Sequence, residues 1–337
     1  MNIINQSVQL IEKPDVIARM SVLQYLEKIG RVCYKSEDRI TNDSCVKFIK
    51  MLRDRKHWAM LEHFIFTFDV PEELFKQINQ SIIEIGDYRF QVFARYFNTS
   101  TYLNREGDIH FLVSASATAI NNMINIPGLY IEAFMTIAKR LWVAIPEIIL
   151  LPEDSEAMML LKATDESDVV ILQPQDVKNL PRNIRMQHDW FTAFYITNRA
   201  VSHEIVRHRP FSYAQESTRY VKYGDITVIK PMFDVNTLSN ETELQKYNLW
   251  RHAMETTEQT YSKLLDLGAK PQEARGVLPN DLKTEINQTG RLESWIHFFK
   301  MRCDNAAHPQ IREVAEQLYD QAAKYAPGVF PEIAREC

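Results

Sequence analysis

DWFTAFYITNRAVSHEIVRHRPFSYAQESTRY, residues 189–220, passes from one kind of pattern to another. DWFTAFYITN is aromatic and β-branched, the composition of a strand. RAVSHEIVRHR reads as a helix, and Pro210 helps to end it because proline has no N–H to offer a further turn. The junction gathers Arg207, His208 and Arg209 in a last helical turn, where the negative end of the macrodipole favours cations. Taken alone, RHR therefore also reads as solvated helix-end decoration. That reading weakens further along, because Ser212, Ser217 and Arg219 follow with few apolar letters between them. Hydroxyls, free amides and guanidinium groups in one turn-rich segment make a phosphate cradle. Arginine adds a planar fork for phosphate oxygens, and Tyr213 and Tyr220 add flat surfaces against which a ring can stack. The segment suits a phosphorylated heterocycle, and the guanidinium groups of 207, 209 and 219 are expected to share one pocket.

Outward from this stretch, the chain reads as α+β: mostly helix around one modest mixed or antiparallel sheet. Residues 15–56 read as helical, with Ile17, Val22, Leu23, Tyr25 and Leu26 near one face and Val46, Phe48, Ile49 and Leu52 repeating the pattern. Asn42, Asp43 or Ser44 would cap the second helix. FIFTFDV is a strand ended by Pro71, and DIHFLVS and DITVIKP are shorter ones. Between 71 and 189, PEELFKQINQSIIEI and SATAINNMINIPGLYIEAFMTIAKRLWVAI are amphipathic helical stretches. Residues 152–185 are acidic and proline-punctuated and read as a loop or mobile flap, with one short strand at VVILQ. Beyond 240, a long helix ends at Gly268, and RLESWIHFFKMRC and HPQIREVAEQLYDQAAKYA are two more.

The 337 residues are 45% apolar and 25% charged, an ordinary globular balance with ample material for a core. A net charge of −5 excludes a general basic field, so any anion site must be local. The four cysteines, at 33, 45, 303 and 337, show no ligand spacing, so no metal is expected. Sparse cysteine, no recognisable leader and no apolar run of about 20 residues lead to the expectation of a cytoplasmic protein.

R-H-R, seven residues, then S resembles the signature of the flavin-dependent thymidylate synthases, the ThyX type. Arg207, His208, Arg209 and Ser217 fit the short form; Ser212, Gln215, Arg219 and Tyr220 fit the longer one. Three other stretches agree in order. HWAMLEHFIFTF is similar to a family segment in which His57 precedes the Glu62-His63 pair. RAVSHEIVRHR resembles the helix leading into the motif. ARGVLPNDLKTEINQTGRLESWIHFFKMRC resembles the C-terminal helices, including Arg275 and Arg302. The resemblance covers about 31–70 and 190–320. Some positions depart from it: Ala59 and Ala214 stand where hydroxyl or amide side chains are common, and Arg291 and Glu293 replace a frequent Asn and Arg. It implies a single catalytic domain over 1–337 with 71–189 inserted in it.

The resemblance further implies reductive methylation of dUMP to dTMP, with FAD as cofactor and NADPH and methylenetetrahydrofolate as co-substrates, in a homotetramer whose sites are shared between subunits. It assigns dUMP to Glu204, Arg207, Gln215, Glu216, Ser217, Thr218, Arg219, Arg275 and Arg302. It assigns FAD to His57, Ala59, Arg207, His208, Arg209, Gln215, Arg291 and His297. Arg302 becomes the catalytic group, a fixed cation stabilising negative charge on the pyrimidine, since arginine cannot act as a base. Cys303 is the one cysteine beside it. Neighbours on a helix point about 100° apart, so Cys303 reads as a small core residue rather than a nucleophile. His57, His63 and His297 read equally as packed histidines from their local sequence. The alternative is a noncatalytic nucleotide- or RNA-binding module using the same basic patch. A phosphoryl-transfer enzyme is disfavoured because the chain has no GxxxxGK[ST] loop.

Overall fold

The computed structural model describes residues 1–16, 18–84, 86, 96–126, 131–165, 168–233 and 241–332. Ile17, Cys337 and the middle of the 116–145 helical stretch lie outside them. β7 (Trp190–Asn198) is the strand expected from DWFTAFYITN. It pairs antiparallel with β2 (Ser7–Ile11) on one side and with β10 (Lys283–Arg291) on the other. β8 (Ser212–Gln215) closes the far edge, giving the order β2-β7-β10-β8. Side chains alternate across a strand, so β7 feeds two cores. Trp190 points into one, with the helices Arg19–Val32 and Ser44–Asp54. Phe191, Ala193 and Tyr195 point into the other, with Leu292–Arg302 and Pro309–Tyr325. The sheet is covered on both faces, which is why β7 is buried almost throughout.

The α+β class holds, but the expected single sheet is corrected. β3 (Ile65–Asp69) does not continue into β7. It pairs antiparallel with β5 (Ile109–Ser116) and with the two-residue β6 (Val170–Ile171), and β4 (Asn98–Leu103) completes a second four-stranded sheet. The segment between β3 and β7 supplies its own partners, so the first sheet never has to accept them. A small parallel pair, β1 (Asn2–Ile4) with β9 (Thr227–Ile229), stands apart. The 152–185 stretch, expected as a loop, instead folds into the helices Glu156–Ala163, Pro174–Lys178 and Arg182–His188. Ser155 caps the first, accepting from the N–H of Met158, and prolines start or precede the other two. Proline punctuation there marks helix starts rather than irregular chain. Among its described residues, the 116–145 stretch forms two helices, Ala117–Ile124 and Glu132–Ala144. The long helix Glu241–Asp266 stops as expected before Gly268, whose φ of +91° suits a residue without a Cβ. Among the described residues, no helix is long and apolar enough to cross a membrane.

Candidate functional site

The helix Arg199–Ile205 begins where β7 ends, because the Asn198 side chain accepts from the N–H of Val201 at 2.8 Å. The helix ends at Ile205, so RHR follows it in the turn before Pro210 rather than lying in its last helical turn as expected, and the three residues separate: His208 turns inward at 6% exposure, while Arg207 and Arg209 remain exposed. The end of the helix Leu292–Arg302 meets this turn. Arg302 Nη1 donates to Glu204 Oε2 at 2.6 Å, and Nε donates to His208 Nε2 at 2.8 Å. His297, one turn earlier, lies 6.0 Å from the His208 ring. Burial, then the Arg302 charge, then His297 push the His208 pKa down to about 4. A neutral imidazole is what accepting from a guanidinium requires. Four predicted residues, Glu204, His208, His297 and Arg302, thus form one cluster. Cys303 is 3% exposed among the aromatic side chains of the second core.

The second half of the motif runs along β8 and off its end. Gln215 donates to Ser202 Oγ at 2.8 Å and to Thr284 Oγ1 at 3.2 Å. Glu216 is buried, accepting from Lys283 at 3.0 Å and from the Tyr223 hydroxyl at 2.8 Å. Ser217 is fixed by its N–H to the Cys33 carbonyl at 3.2 Å, and its Oγ accepts from the Arg219 N–H at 3.3 Å. Arg275 reaches Thr218 Oγ1 at 3.5 Å. Arg219 lies 5.4 Å from the Tyr220 ring. Tyr220 in turn lies beside Tyr34, whose hydroxyl is hydrogen-bonded to His57 Nδ1. Ser217, Thr218, Arg219, Arg275 and His57 therefore line one rim in sequence, with two guanidinium groups facing solvent.

A cavity of about 850 Å³ opens on the other side of the Pro210 turn. Arg209, Ser212, Glu62, Thr289 and Arg291 line it, together with Ser116 at the end of β5 and Thr118 and Asn122 on the helix Ala117–Ile124 that follows. Ser212 donates to Glu62 at 3.0 Å, and burial raises the Glu62 carboxyl above its ordinary range. Of residues 207, 209 and 219, Arg209 lines this cavity, while Arg207 and Arg219 are exposed outside its lining. Ala59 is exposed and lies outside the cavity lining.

Local sequence missed β10. KTEINQTGR lacks apolar alternation, yet Thr284, Glu285, Asn287, Gln288 and Thr289 are all buried. They bond across the sheet and to helices, as Thr289 does to His63 at 2.7 Å and Tyr195 to Gln288 at 3.0 Å. Lys283, Ser202 and Tyr34 were missed for the same reason: each acts through a partner remote in sequence.

The class of this architecture is visible in its C-terminal part. Residues 186–328, which hold β7, β8, β10 and the Arg302 helix, match the family model described as thymidylate synthase complementing protein. The chain is similar in sequence to flavin-dependent thymidylate synthases. That of Mycobacterium avium is 37% identical over 158 residues, covering 42% of this chain and 61% of the relative. That of Mycobacterium tuberculosis (strain H37Rv) is 36% identical with the same coverage. That of Corynebacterium glutamicum is 35% identical over 154 residues, covering 41% and 59%. The chain thus spans about three fifths of the length of the curated relatives it matches. A solved structure of the UMP/dUMP methylase PolB from Streptomyces cacaoi, bound with 5-Br UMP, is 22% identical. It covers 46% of this chain and 80% of its own, at a TM-score of 0.40, too loose a likeness to argue from.

Proposed function

We propose that this protein is a flavin-dependent thymidylate synthase that converts dUMP to dTMP. The observation that carries this reading is the family match over 186–328, which takes in both the cluster of Arg302, Glu204 and His208 and the phosphate-suited group of Ser217, Arg219 and Arg275. Methylenetetrahydrofolate supplies the carbon, NADPH the reducing equivalents and bound FAD the redox chemistry, within a cytoplasmic homotetramer. The 71–189 segment is an insertion in a single catalytic domain.

The chain's own groups suit these tasks. The Ser217 hydroxyl and the exposed guanidinium groups of Arg219 and Arg275 hold the dUMP phosphate, with Thr218 beside them. Gln215 and Glu204 orient the nucleotide. Arg207 faces solvent next to Glu204 and is free to meet a phosphate of either ligand. Glu216, held by Lys283 and Tyr223, keeps β8 in register behind the rim. Arg302 presents a permanent cation to the oxygen on which negative charge develops when the pyrimidine is attacked, and a fixed cation needs no reorganisation at that moment. His208, neutral and accepting from Arg302, sets the plane of that guanidinium. A flavin fits the residues present: a cavity of about 850 Å³ is of the size that holds a large cofactor, and Arg209 and Arg291 at its wall suit the anionic linkage of a dinucleotide. His57, Ala59 and His297 lie outside that wall, and their assignment to flavin rests on the resemblance.

An absorbance spectrum of the purified protein, with and without dUMP, is the test. Flavin bands perturbed by dUMP are expected, with dTMP formed when folate and NADPH are added. Colourless protein that FAD cannot reconstitute would remove the reading.

A further inference from the structure

The turn that carries Ser217, Thr218 and Arg219 has little apolar packing of its own. Between Ala214 and Ile226 no apolar side chain is fully buried, so polar contacts hold this turn in place. Glu216, at its root, is 2% exposed and accepts from Lys283 at 3.0 Å and from the Tyr223 hydroxyl at 2.8 Å. Lys283 also pairs with Glu285 Oε1 at 2.7 Å, and the same oxygen takes the ammonium of Lys35 at 2.5 Å. Lys35, Glu285, Lys283 and Glu216 thus form a ladder of alternating sign, two charges of each kind, with none left over. Burial works against the charge on Lys283, but Glu216 and then Glu285 outweigh it and the Lys283 pKa is raised. Burial likewise opposes the charge on Glu285, but Lys283 and then Lys35 outweigh it and the net shift is downward. Every rung is stabilised by its neighbours, so the ladder acts as one unit.

The outermost rung is the least expected. Lys35 stands just past the end of the helix Arg19–Val32 at a φ of +50°, a left-handed conformation that favours glycine. A lysine gives the turn no conformational advantage there; its side chain supplies one, by reaching Glu285. Glu37 lies farther from the same ammonium, at 3.8 Å. The turn that bears Lys35 also meets the rim directly, since the Cys33 carbonyl accepts the Ser217 N–H at 3.2 Å. We propose that Lys35 is a positioning residue for phosphate binding: through Glu285, Lys283 and Glu216 it fixes where the Ser217 hydroxyl and the Arg219 guanidinium meet a phosphate. The proposal deepens the dUMP reading, on which only the identity of the ligand rests.

The full-length protein and the variants Lys35→Gly, Lys35→Met and Lys35→Arg are compared by calorimetric titration with dUMP, by steady-state turnover and by thermal melting. Lys35→Gly relieves the positive φ while it removes the ammonium, so its melting temperature is expected to stay near that of the wild type. Its affinity for dUMP, and that of Lys35→Met, is expected to fall about tenfold, the loss of one well-aimed hydrogen bond. KM for dUMP rises in step and kcat holds, because the Arg302 cluster is untouched. Lys35→Arg keeps the cation and is expected to recover most of the affinity. Unchanged dUMP affinity in either uncharged variant overturns the proposal. So does a fall in kcat at unchanged KM, or an arginine variant as weak as the methionine one. Protein that neither holds flavin nor forms dTMP, yet binds dUMP more weakly in both uncharged variants, keeps the ladder and discards the flavin enzyme. Wild-type protein that binds no dUMP overturns both.

Discussion

Arg302 uses one guanidinium to grip both Glu204 and His208, so its loss has two separable consequences. Arg302→Ala is expected to lower turnover by about 10²–10³-fold, the scale of one removed electrostatic stabiliser, while flavin stays bound, as absorbance will report. The His208 pKa rises part of the way from about 4 when the neighbouring charge goes, leaving burial as the main cause; an NMR titration reads that shift. Cys303→Ala removes a core sulfur and leaves turnover substantially intact, and complete loss would restore a covalent mechanism. Histidines also set the acid limit of the fold. Burial pushes His63 down to about 4 and His188 to about 3, and His208 follows at about 4. The unfolded chain takes up protons near pH 6.5 while the folded chain refuses them. Stability is therefore full above about pH 6.5 and falls as pH drops through the window toward 4. Thermal unfolding between pH 7 and 5 should show this decline, and His63→Asn should flatten it.

At the scale of the element, β10 carries the design. It lies between β7 and β8, and its end meets the Pro210 turn through Gly290, where an added Cβ would lie 2.4 Å from the Phe211 ring. Phe211 in turn packs edge-on against Trp295 at 4.7 Å, so it can yield only toward the cavity it lines. Gly290→Ala is expected to cost about 1–3 kcal/mol, the range for overpacking, and to shift the turn bearing Arg209. A lowered melting temperature together with weakened flavin retention checks this; a wild-type melt would show that the turn gives way freely. The Arg199–Ile205 helix was legible because cap, period and stop lie within a dozen letters. β10 was not, because its buried polar row is justified only by partners such as His63 and Tyr195.

Across the whole molecule, Asp189 ties regions that are far apart in sequence. Its side chain is fully buried and accepts from Lys13 at 2.7 Å, Arg185 at 2.9 Å and the Tyr325 hydroxyl at 2.9 Å. Burial raises the Asp189 pKa, but Lys13 and then Arg185 overcome it, and the net shift is downward. Asp189→Asn leaves two buried cations without a counter-charge and is expected to cost about 3–5 kcal/mol, measured by denaturant unfolding. A loss under 1 kcal/mol would show that the cations find water or other partners.

The sequence by itself determined the α+β class, the strand–helix–turn at 189–220, the cap at Gly268 and the chemical character of the RHR and STRY groups. Each of these depends on letters a few positions apart, where period, capping and proline act directly on the backbone. Tertiary structure alone decided that there are two four-stranded sheets, that Arg207 and Arg209 face different surroundings from His208, and that Arg291 borders a cavity walled by residues near 116–122. Those outcomes turn on pairings between groups scores of positions apart, Arg302 with His208 among them, and no local pattern encodes which distant partner will satisfy a buried charge.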